Sequence, residues 1–192
     1  MARLLERFLR RYAQGQATAV APFIRGRRLL DLGAGEAFVA AALHGRDNIT
    51  VCSVDVGLFR KAKVPYVAYD GLRLPFRDAT FDTTLVLLTL HHCAAPERVL
   101  DEALRVTRQR VIVTESVYRT RVEHFWLNLL DHRVNRYRHG GRMTAAPAFG
   151  RPEHWEALFA VRGLVTVETR WLGPWWERIV HHPLLYVLER AR

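Results

Sequence analysis

The pattern of apolar and polar positions predicts alternating strands and helices over the first 115 residues. Arg28–Leu32 is a short apolar run that ends at a glycine turn, which is typical of a buried strand. Glu36–His44 is rich in alanine, ends at Gly45 and predicts a helix. Further strands are predicted at Ile49–Val56, Val64–Tyr69, Phe81–Thr89 and Val111–Thr114, and a further helix at Pro96–Val106. This alternation favours a parallel sheet with helices on both faces.

The segments on either side of this core complete the chain. Residues 3–24 show an amphipathic helical pattern. After residue 115, helices are predicted at Val122–Tyr137 and Arg151–Val161, strands at Leu164–Leu172 and Leu184–Leu188, and loops at Gly140–Gly150 and Trp175–Pro183. We expect one domain over 1–192. Its parts are a helical segment (1–24), a core (28–115), an inserted helix and loop that could form a lid (116–150), and a closing helix and strands (151–192).

Composition narrows the class of protein. The chain has 192 residues, 49% hydrophobic and 25% charged, as in an ordinary globular domain. Its longest apolar stretch, near Leu85–Leu90, is far short of the ~20 residues that span a membrane. The N-terminus is too rich in arginine for a signal peptide, so a cytoplasmic protein is expected. The two cysteines, Cys52 and Cys93, predict free thiols rather than a disulfide framework or a zinc site, and no metal is expected.

The net charge of +10 is carried almost wholly by arginine. An acidic partner would favour such a surface. The arginines are spread along the chain instead of forming blocks, however, which favours a bias in codon usage. Nucleic acid is therefore disfavoured as a partner, although the charge alone does not exclude it.

The sharpest motif is Leu-Asp-Leu-Gly-Ala-Gly-Glu-Ala at residues 30–37, between a predicted strand and a predicted helix. Gly33 and Gly35 let the backbone turn tightly and approach a ligand closely. The next predicted strand ends in an acid, Asp55, about 20 residues on, where a carboxylate would bind ribose hydroxyls. These features fit both a dinucleotide site and an S-adenosylmethionine site.

Three observations help to separate these two ligands. Phe38 occupies the place of the third glycine in a pyrophosphate-binding fingerprint. Asp31 precedes the turn, where its carboxylate can meet an ammonium group. No phosphate-binding loop of the Gly-Lys-Ser/Thr type occurs in the chain.

From about Arg28 to Glu115 the sequence resembles the class I methyltransferases, particularly the small-molecule branch related to ubiquinone and menaquinone biosynthesis. The matching segments are Leu30–Ala37, where Ala37 replaces the family's last glycine, then Val54–Asp55, Tyr69–Phe76, Phe81–His92 and Leu100–Val106. The family's Lys-Pro-Gly-Gly turn is replaced by Thr107–Gln109, which we interpret as a shortened turn. Residues 116–192 match only in pattern, in the part of the chain where such families recognise substrates.

The resemblance implies a Rossmann-like, mostly parallel, seven-stranded sheet with an antiparallel C-terminal strand and an added helix at about 121–138. It implies S-adenosylmethionine as methyl donor, S-adenosylhomocysteine as product, and a small-molecule acceptor of apolar or anionic character. The cofactor-binding residues that it implies are Asp31 for the amino group, Gly33, Ala34 and Gly35 for the methionine part, Asp55 and Val56 for the ribose, Asp70 and Gly71 for the adenine, and Leu87 beside the methionine chain.

The acceptor side leaves several interpretations open. His91 and His92 are the candidates for a general base, but one could pack on the sheet while the other faces solvent. The helix at 122–138 could be a lid, a helix that contacts a membrane or an anionic substrate, or an element packed on the core. Its predicted apolar stripe is Val122, Phe125, Trp126, Leu129, Leu130 and Val134. An RNA methyltransferase and a non-catalytic relative of the fold are the alternative functions. Oligomeric state is not predicted.

Overall fold

A computed structural model describes residues 2–139, 148–173 and 182–191; for 2–4 and 131–139 it describes only the backbone. The helices are α1 (Ala2–Val20), α2 (Phe38–Leu43), α3 (Pro96–Val106), α4 (Arg121–His139) and α5 (Pro152–Ala160). The strands are β1 (Arg28–Leu32), β2 (Thr50–Asp55), β3 (Tyr66–Ala68), β4 (Phe81–Leu87), β5 (Thr107–Ser116), β6 (Leu164–Trp171) and β7 (Pro183–Arg190). Short 3-10 turns lie at Ala21–Phe23, Arg46–Asn48 and Leu90–His92.

These strands form one seven-stranded sheet in the order β3-β2-β1-β4-β5-β7-β6. Strands β1 to β5 pair in parallel, whereas β7 pairs antiparallel with both β5 and β6. The predicted fold class, with its single antiparallel C-terminal strand, is confirmed. The chain runs outward from β1 to β3 and then returns to β4 on the other side of β1. Ligands bind at such a reversal of strand order, beyond the carboxyl ends of the strands.

Two apolar cores lie on opposite faces of the sheet. Successive residues of β1 divide between them: Leu29 packs with α1 and α2, and Leu30 with α3 and α5. Fully burying one such leucine stabilises the fold by about 1.5–3 kcal/mol. The runs of buried residues in the central strands therefore reflect a sheet covered on both faces.

Two elements depart from the sequence prediction. Helix α2 begins at Phe38 instead of Glu36, because Ala37 has a left-handed backbone (φ 62°) that cannot continue a helix. Strand β5 begins at Thr107, so the predicted turn at Thr107–Gln109 is wrong. The Thr107 hydroxyl lies 2.5 Å from both the Ala103 carbonyl and the Thr84 hydroxyl, and these contacts place Thr107 at the helix end and within the sheet.

The remaining predictions concern a membrane span, two loops and the added helix. No helix in the described part of the chain has the length and apolar character needed to cross a bilayer. Most of the loop predicted at Gly140–Gly150 and of the one predicted at Trp175–Pro183 lies outside the described residues. Helix α4 is present where it was predicted, and the side chain of Val134 in its stripe is not described.

Candidate functional site

A cleft of about 740 Å³ opens beyond the carboxyl ends of β1, β2 and β4, with α1 as one wall. Ten of the eleven residues predicted to act in the site line this cleft. They are the nine cofactor candidates and His92, whereas His91 lies outside the lining. The cofactor candidates that line it are Asp31, Gly33, Ala34, Gly35, Asp55, Val56, Asp70, Gly71 and Leu87. The fold thus brings together residues that are up to 56 positions apart in the sequence, from 31 to 87.

The glycine turn is fixed to β2 by hydrogen bonds. The amides of Gly33 and Ala34 both donate to the carbonyl of Val54, at 2.8 and 3.1 Å. Gly33 has a φ of 76°, and a Cβ atom there would lie 2.3 Å from the Cγ2 and Oγ1 atoms of Thr89. Glycine is therefore required at position 33 by packing against Thr89 as well as by backbone conformation.

Gly35 has the opposite surroundings. Its φ is 51°, but a Cβ atom there would meet nothing within 4 Å. Its amide donates to Oδ2 of Asp55 at 2.8 Å, and its carbonyl lies 3.1 Å from the Tyr66 hydroxyl. The backbone at Gly35 is thus held firmly from behind while its open side faces the cleft.

Asp31 is a buried acid at the end of β1, 3% exposed. Its Oδ2 atom has no hydrogen-bond partner among the protein atoms. Burial, with the nearby charge of Asp55 as the second cause, raises the pKa of Asp31 to about 7. A cationic group in the cleft would pair with this carboxylate and favour its charged form.

Asp55 and Asp70 have contrasting environments. Burial raises the pKa of Asp55, although the amides of Gly35 and Val56 donate to its two oxygens at 2.8 and 2.7 Å. Asp70 is exposed, and Oδ1 accepts from the amides of Leu72 and Arg73 at 2.8 and 3.0 Å. These amides hold the pKa of Asp70 below its usual range. Both acids line the cleft, and Asp70 is ionised at neutral pH.

The turn after β4 places the two adjacent histidines in different surroundings, although their ring centroids lie 4.0 Å apart. Leu88 has a φ of 53°, which is strained for a leucine, and the chain then enters the 3-10 turn Leu90–His92. His92 is half-buried at the cleft. His91 is 2% exposed and stacks on the ring of Phe149, with ring centroids 4.7 Å apart.

The sequence analysis missed Glu115, which organises this turn. Glu115 lies at the end of β5 and is fully buried. Its Oε1 accepts from the amides of Leu90 (2.7 Å) and Thr89 (3.1 Å), and its Oε2 lies 2.5 Å from Nδ1 of His91. The signal in the sequence was an acid directly after a predicted strand. Its partners are 24 to 26 residues away, however, and follow only from the sheet order.

Both cysteines are free and half-buried, as expected. Cys93 lines the cleft and its Sγ lies 3.3 Å from the carbonyl of Thr89. Burial, with the charges of Glu115 and Asp55 adding to it, raises the pKa of Cys93 to about 11. A thiol that is protonated at neutral pH is a poor nucleophile, so the cleft has no activated cysteine among its described residues.

Comparison with known families finds a match over the segment that holds the cofactor candidates. Residues 30–113 match a family described as a methyltransferase domain. A demethylmenaquinone methyltransferase of Streptomyces griseus is 35% identical over 101 residues, covering 46% of this chain and 42% of that enzyme. A second, from Clavibacter sepedonicus, is 35% identical over 108 residues, covering 50% of this chain and 44% of that enzyme. The chain thus spans less than half the length of these curated relatives.

Solved structures share the fold over nearly the whole chain. Geranyl diphosphate methyltransferase in complex with SAM has a TM-score of 0.71 at 15% identity, covering 93% of this chain and 85% of that one. The cyclase SpnF has a TM-score of 0.69 at 16% identity, covering 93% of this chain and 80% of that one. At these identities the likeness establishes the Rossmann-like fold of such methyltransferases. The cyclase shows that proteins with this fold can have different activities.

Proposed function

We propose that this chain, which carries a methyltransferase domain at residues 30–113, transfers a methyl group from S-adenosylmethionine to a small-molecule acceptor. One observation carries the proposal. The glycine turn and the three acids Asp31, Asp55 and Asp70 meet in a single cleft at the carboxyl ends of β1 to β3. Open α/β sheets bind nucleoside ligands at this position, beyond the carboxyl ends of their strands.

The residues present fit this cofactor. The unpartnered Oδ2 of Asp31 suits the ammonium of a methionine group, and the open side of Gly35 leaves room for its chain. Each oxygen of Asp55 accepts one backbone amide and has a further lone pair, so both ribose hydroxyls can donate to it. Asp70 and Gly71 would hold the adenine, with Val56 and Leu87 as apolar contacts. When bound, the cofactor supplies a methyl group already activated by its sulfonium.

The chain itself then has to orient an acceptor and exclude water. His92 lies at the cleft and is our candidate for accepting a proton from a hydroxyl acceptor. His91 is assigned a positioning role, because its ring is buried between Glu115 and Phe149. The carboxylate of Glu115 would hold the turn that carries His92 at the edge of the cleft.

We assign the acceptor to residues 116–192 and the cofactor to the core at 28–115, within one domain. The relatives named for demethylmenaquinone make a quinone the first acceptor to test. The two free thiols support a reducing, cytoplasmic location. An RNA acceptor is the second candidate, since the net charge is +10.

Methyl transfer tests the proposal directly. Purified protein would be incubated with S-adenosylmethionine labelled in its methyl group and with one acceptor at a time. The acceptors are reduced demethylmenaquinone, simple phenols and total RNA. We expect label in a small-molecule acceptor, reduced at least tenfold in Asp55→Asn. Label in RNA alone would establish the alternative, and absence of label in every acceptor despite cofactor binding would favour a non-catalytic relative.

A second proposal concerns α4 as a helix that contacts an anionic membrane surface. Val122, Phe125 and Trp126 are 66%, 60% and 43% exposed, so the first half of its apolar stripe is not packed on the core. Arg119 and Arg121 are exposed beside them. Apolar side chains flanked by arginines suit an interface with anionic lipid headgroups.

Sedimentation with vesicles tests this role of α4. We expect binding to vesicles that contain phosphatidylglycerol and little binding to vesicles of phosphatidylcholine alone. Phe125→Gln combined with Trp126→Gln should weaken that binding at least fivefold. Unchanged sedimentation of this double variant would exclude α4 as the contact.

A further inference from the structure

One polar residue interrupts the buried face of α1. Leu9, Ala13, Ala17 and Val20 are all less than a tenth exposed, and they follow one another at helical spacing. Gln16 lies three residues after Ala13 and four before Val20, on the same face. The pattern of this helix therefore favours an apolar side chain at position 16, and the chain has an amide there.

The amide of Gln16 lacks a partner. Its Nε2 atom is buried and makes no hydrogen bond to any protein atom. Leaving a buried donor unpaired destabilises a folded chain, so such groups are uncommon unless a ligand or water completes them. Gln16 lines the same cleft as Asp31, whose Oδ2 is buried and unpartnered too.

These two atoms have complementary chemistry. The Nε2 group of glutamine is a donor, and the Oδ2 atom of Asp31 is an acceptor. One ligand group satisfies both at once: an α-amino acid, with a carboxylate to accept from the amide and an ammonium to donate to the acid. The cleft thus has a polar pair that matches one end of a ligand and leaves the rest of the ligand to Asp55 and Asp70.

We propose that Gln16 is a cofactor-binding residue, and that its side-chain amide donates to the carboxylate of the amino-acid part of the cofactor while Asp31 binds the ammonium. This inference depends on the proposed function, which supplies the ligand. It also gives α1 a role: the helix contributes a binding group as well as one wall of the cleft. The cation–π contact of Arg10 with the ring of Phe38, 4.3 Å from its centroid, anchors this helix on α2.

Arg98 is the competing candidate, because it is the guanidinium among the described residues that line the cleft. It is exposed and lies on α3, shortly after Cys93 and Ala95 of the cleft wall. An exposed arginine already has water as a partner, whereas the Nε2 group of Gln16 has none. We therefore assign the carboxylate to Gln16 and not to Arg98.

Two ligands that differ only in the amino-acid part test the assignment. S-Adenosylhomocysteine carries the carboxylate and the ammonium, and 5′-methylthioadenosine lacks both. Calorimetric titration would give the Kd of each for the wild type, Gln16→Leu, Gln14→Leu and Arg98→Leu. Gln14 is exposed on the same helix and provides the matched control.

For Gln16→Leu we expect the Kd of S-adenosylhomocysteine to rise about ten- to a hundredfold and that of 5′-methylthioadenosine to change by about twofold or less. Gln14→Leu and Arg98→Leu should leave the ratio of the two Kd values unchanged. In the absence of ligand, Gln16→Leu should unfold at a Tm equal to or above that of the wild type, because it removes an unpaired polar group. A purely structural glutamine would instead lower the Tm.

A second variant keeps the test decisive. Gln16→Glu should also lose S-adenosylhomocysteine selectively, since its carboxylate would repel that of the ligand. Equal losses of both ligands, no loss of either, or a selective loss confined to Arg98→Leu would overturn the inference and leave the proposed function standing. A folded wild type that binds neither ligand would remove the proposed function and this inference with it.

Discussion

The two sides of the cleft are built in different ways. The cofactor side, at the ends of β1 and β2, is defined by local backbone conformation: a glycine turn, with Asp55 bonded to Gly35 and Val56. The acceptor side, after β4, is defined by contacts between distant segments. Glu115 of β5 holds the turn at residues 89–91, and the amide of Ala148 donates to the carbonyl of His91 at 2.7 Å. A short sequence motif therefore identifies the cofactor side, whereas the acceptor side is recognised only in the folded structure.

The largest expected effect comes from the point where the two sides meet. In Gly33→Ala, the new Cβ would lie 2.3 Å from the side chain of Thr89, whose hydroxyl is 3.0 Å from the carbonyl of Leu87 and not free to move away. Together with the φ of 76°, this should lower the free energy of unfolding by about 3 kcal/mol or more. Urea denaturation measures it.

The control for that change is Gly15→Ala, on α1, where a Cβ atom would meet nothing within 4 Å. There the folded chain should be stabilised by up to about 1 kcal/mol, because alanine favours a helix. Equal effects of the two changes would mean that Thr89 does not pack against the glycine turn and that the two sides are independent.

A smaller effect is expected from the acceptor side alone. Glu115→Gln leaves an amide group facing Nδ1 of His91 and should lower the free energy of unfolding by about 2 kcal/mol. It should raise the KM for the acceptor more than the Kd for S-adenosylhomocysteine, because the turn that carries His92 loosens. Glu189→Gln, at the partly exposed partner of Arg110, is the matched control and should change both constants little. A Kd that rises as much as KM would show that Glu115 serves the cofactor side.

The most gradual expected effect is a pH dependence from Asp31, because it is spread over the whole range between two pKa values. The pKa of Asp31 is raised from its ordinary value to about 7, so the folded chain binds a proton that the unfolded chain releases between about pH 4 and 7. The free energy of unfolding should therefore fall as pH rises through this window, by at most about 1.4 kcal/mol per pH unit. Affinity for S-adenosylhomocysteine should rise over the upper part of the same window, as the carboxylate forms. Parallel slopes in Asp31→Asn, measured by urea denaturation and calorimetry at pH 5.5 and 7.5, would exclude Asp31 as their source.

The difference between the two sides also sets how much could be predicted from the sequence. The sheet and most element boundaries follow from the apolar runs, because strands buried on both faces have a strong signal. The glycine motif and Asp55 follow from their spacing. The exposure of the apolar stripe of α4 could not be predicted, because periodicity identifies an apolar face without showing what covers it.

Residues that act across the sheet escaped prediction for a related reason. Glu115 and Tyr66 have partners set by strand order, and Gln16 lies at the cleft because of helix packing; no local pattern contains either. Asp70 lies in the cleft as predicted, but its bonds to the amides of Leu72 and Arg73 give it a turn-forming role too. Its contact with adenine stays a prediction, as do the other ligand contacts.

The central claim is that the cleft binds an adenosyl amino acid, and calorimetric titration of the wild type and Asp55→Asn with S-adenosylhomocysteine and NAD tests it most directly. We predict micromolar binding of S-adenosylhomocysteine, no binding of NAD, and a loss of about 1–3 kcal/mol of binding free energy in the variant. Circular dichroism would verify that the variant is folded, since Asp55 also bonds to Gly35. Binding of NAD in place of S-adenosylhomocysteine, or an unchanged affinity in a folded Asp55→Asn, would contradict the account.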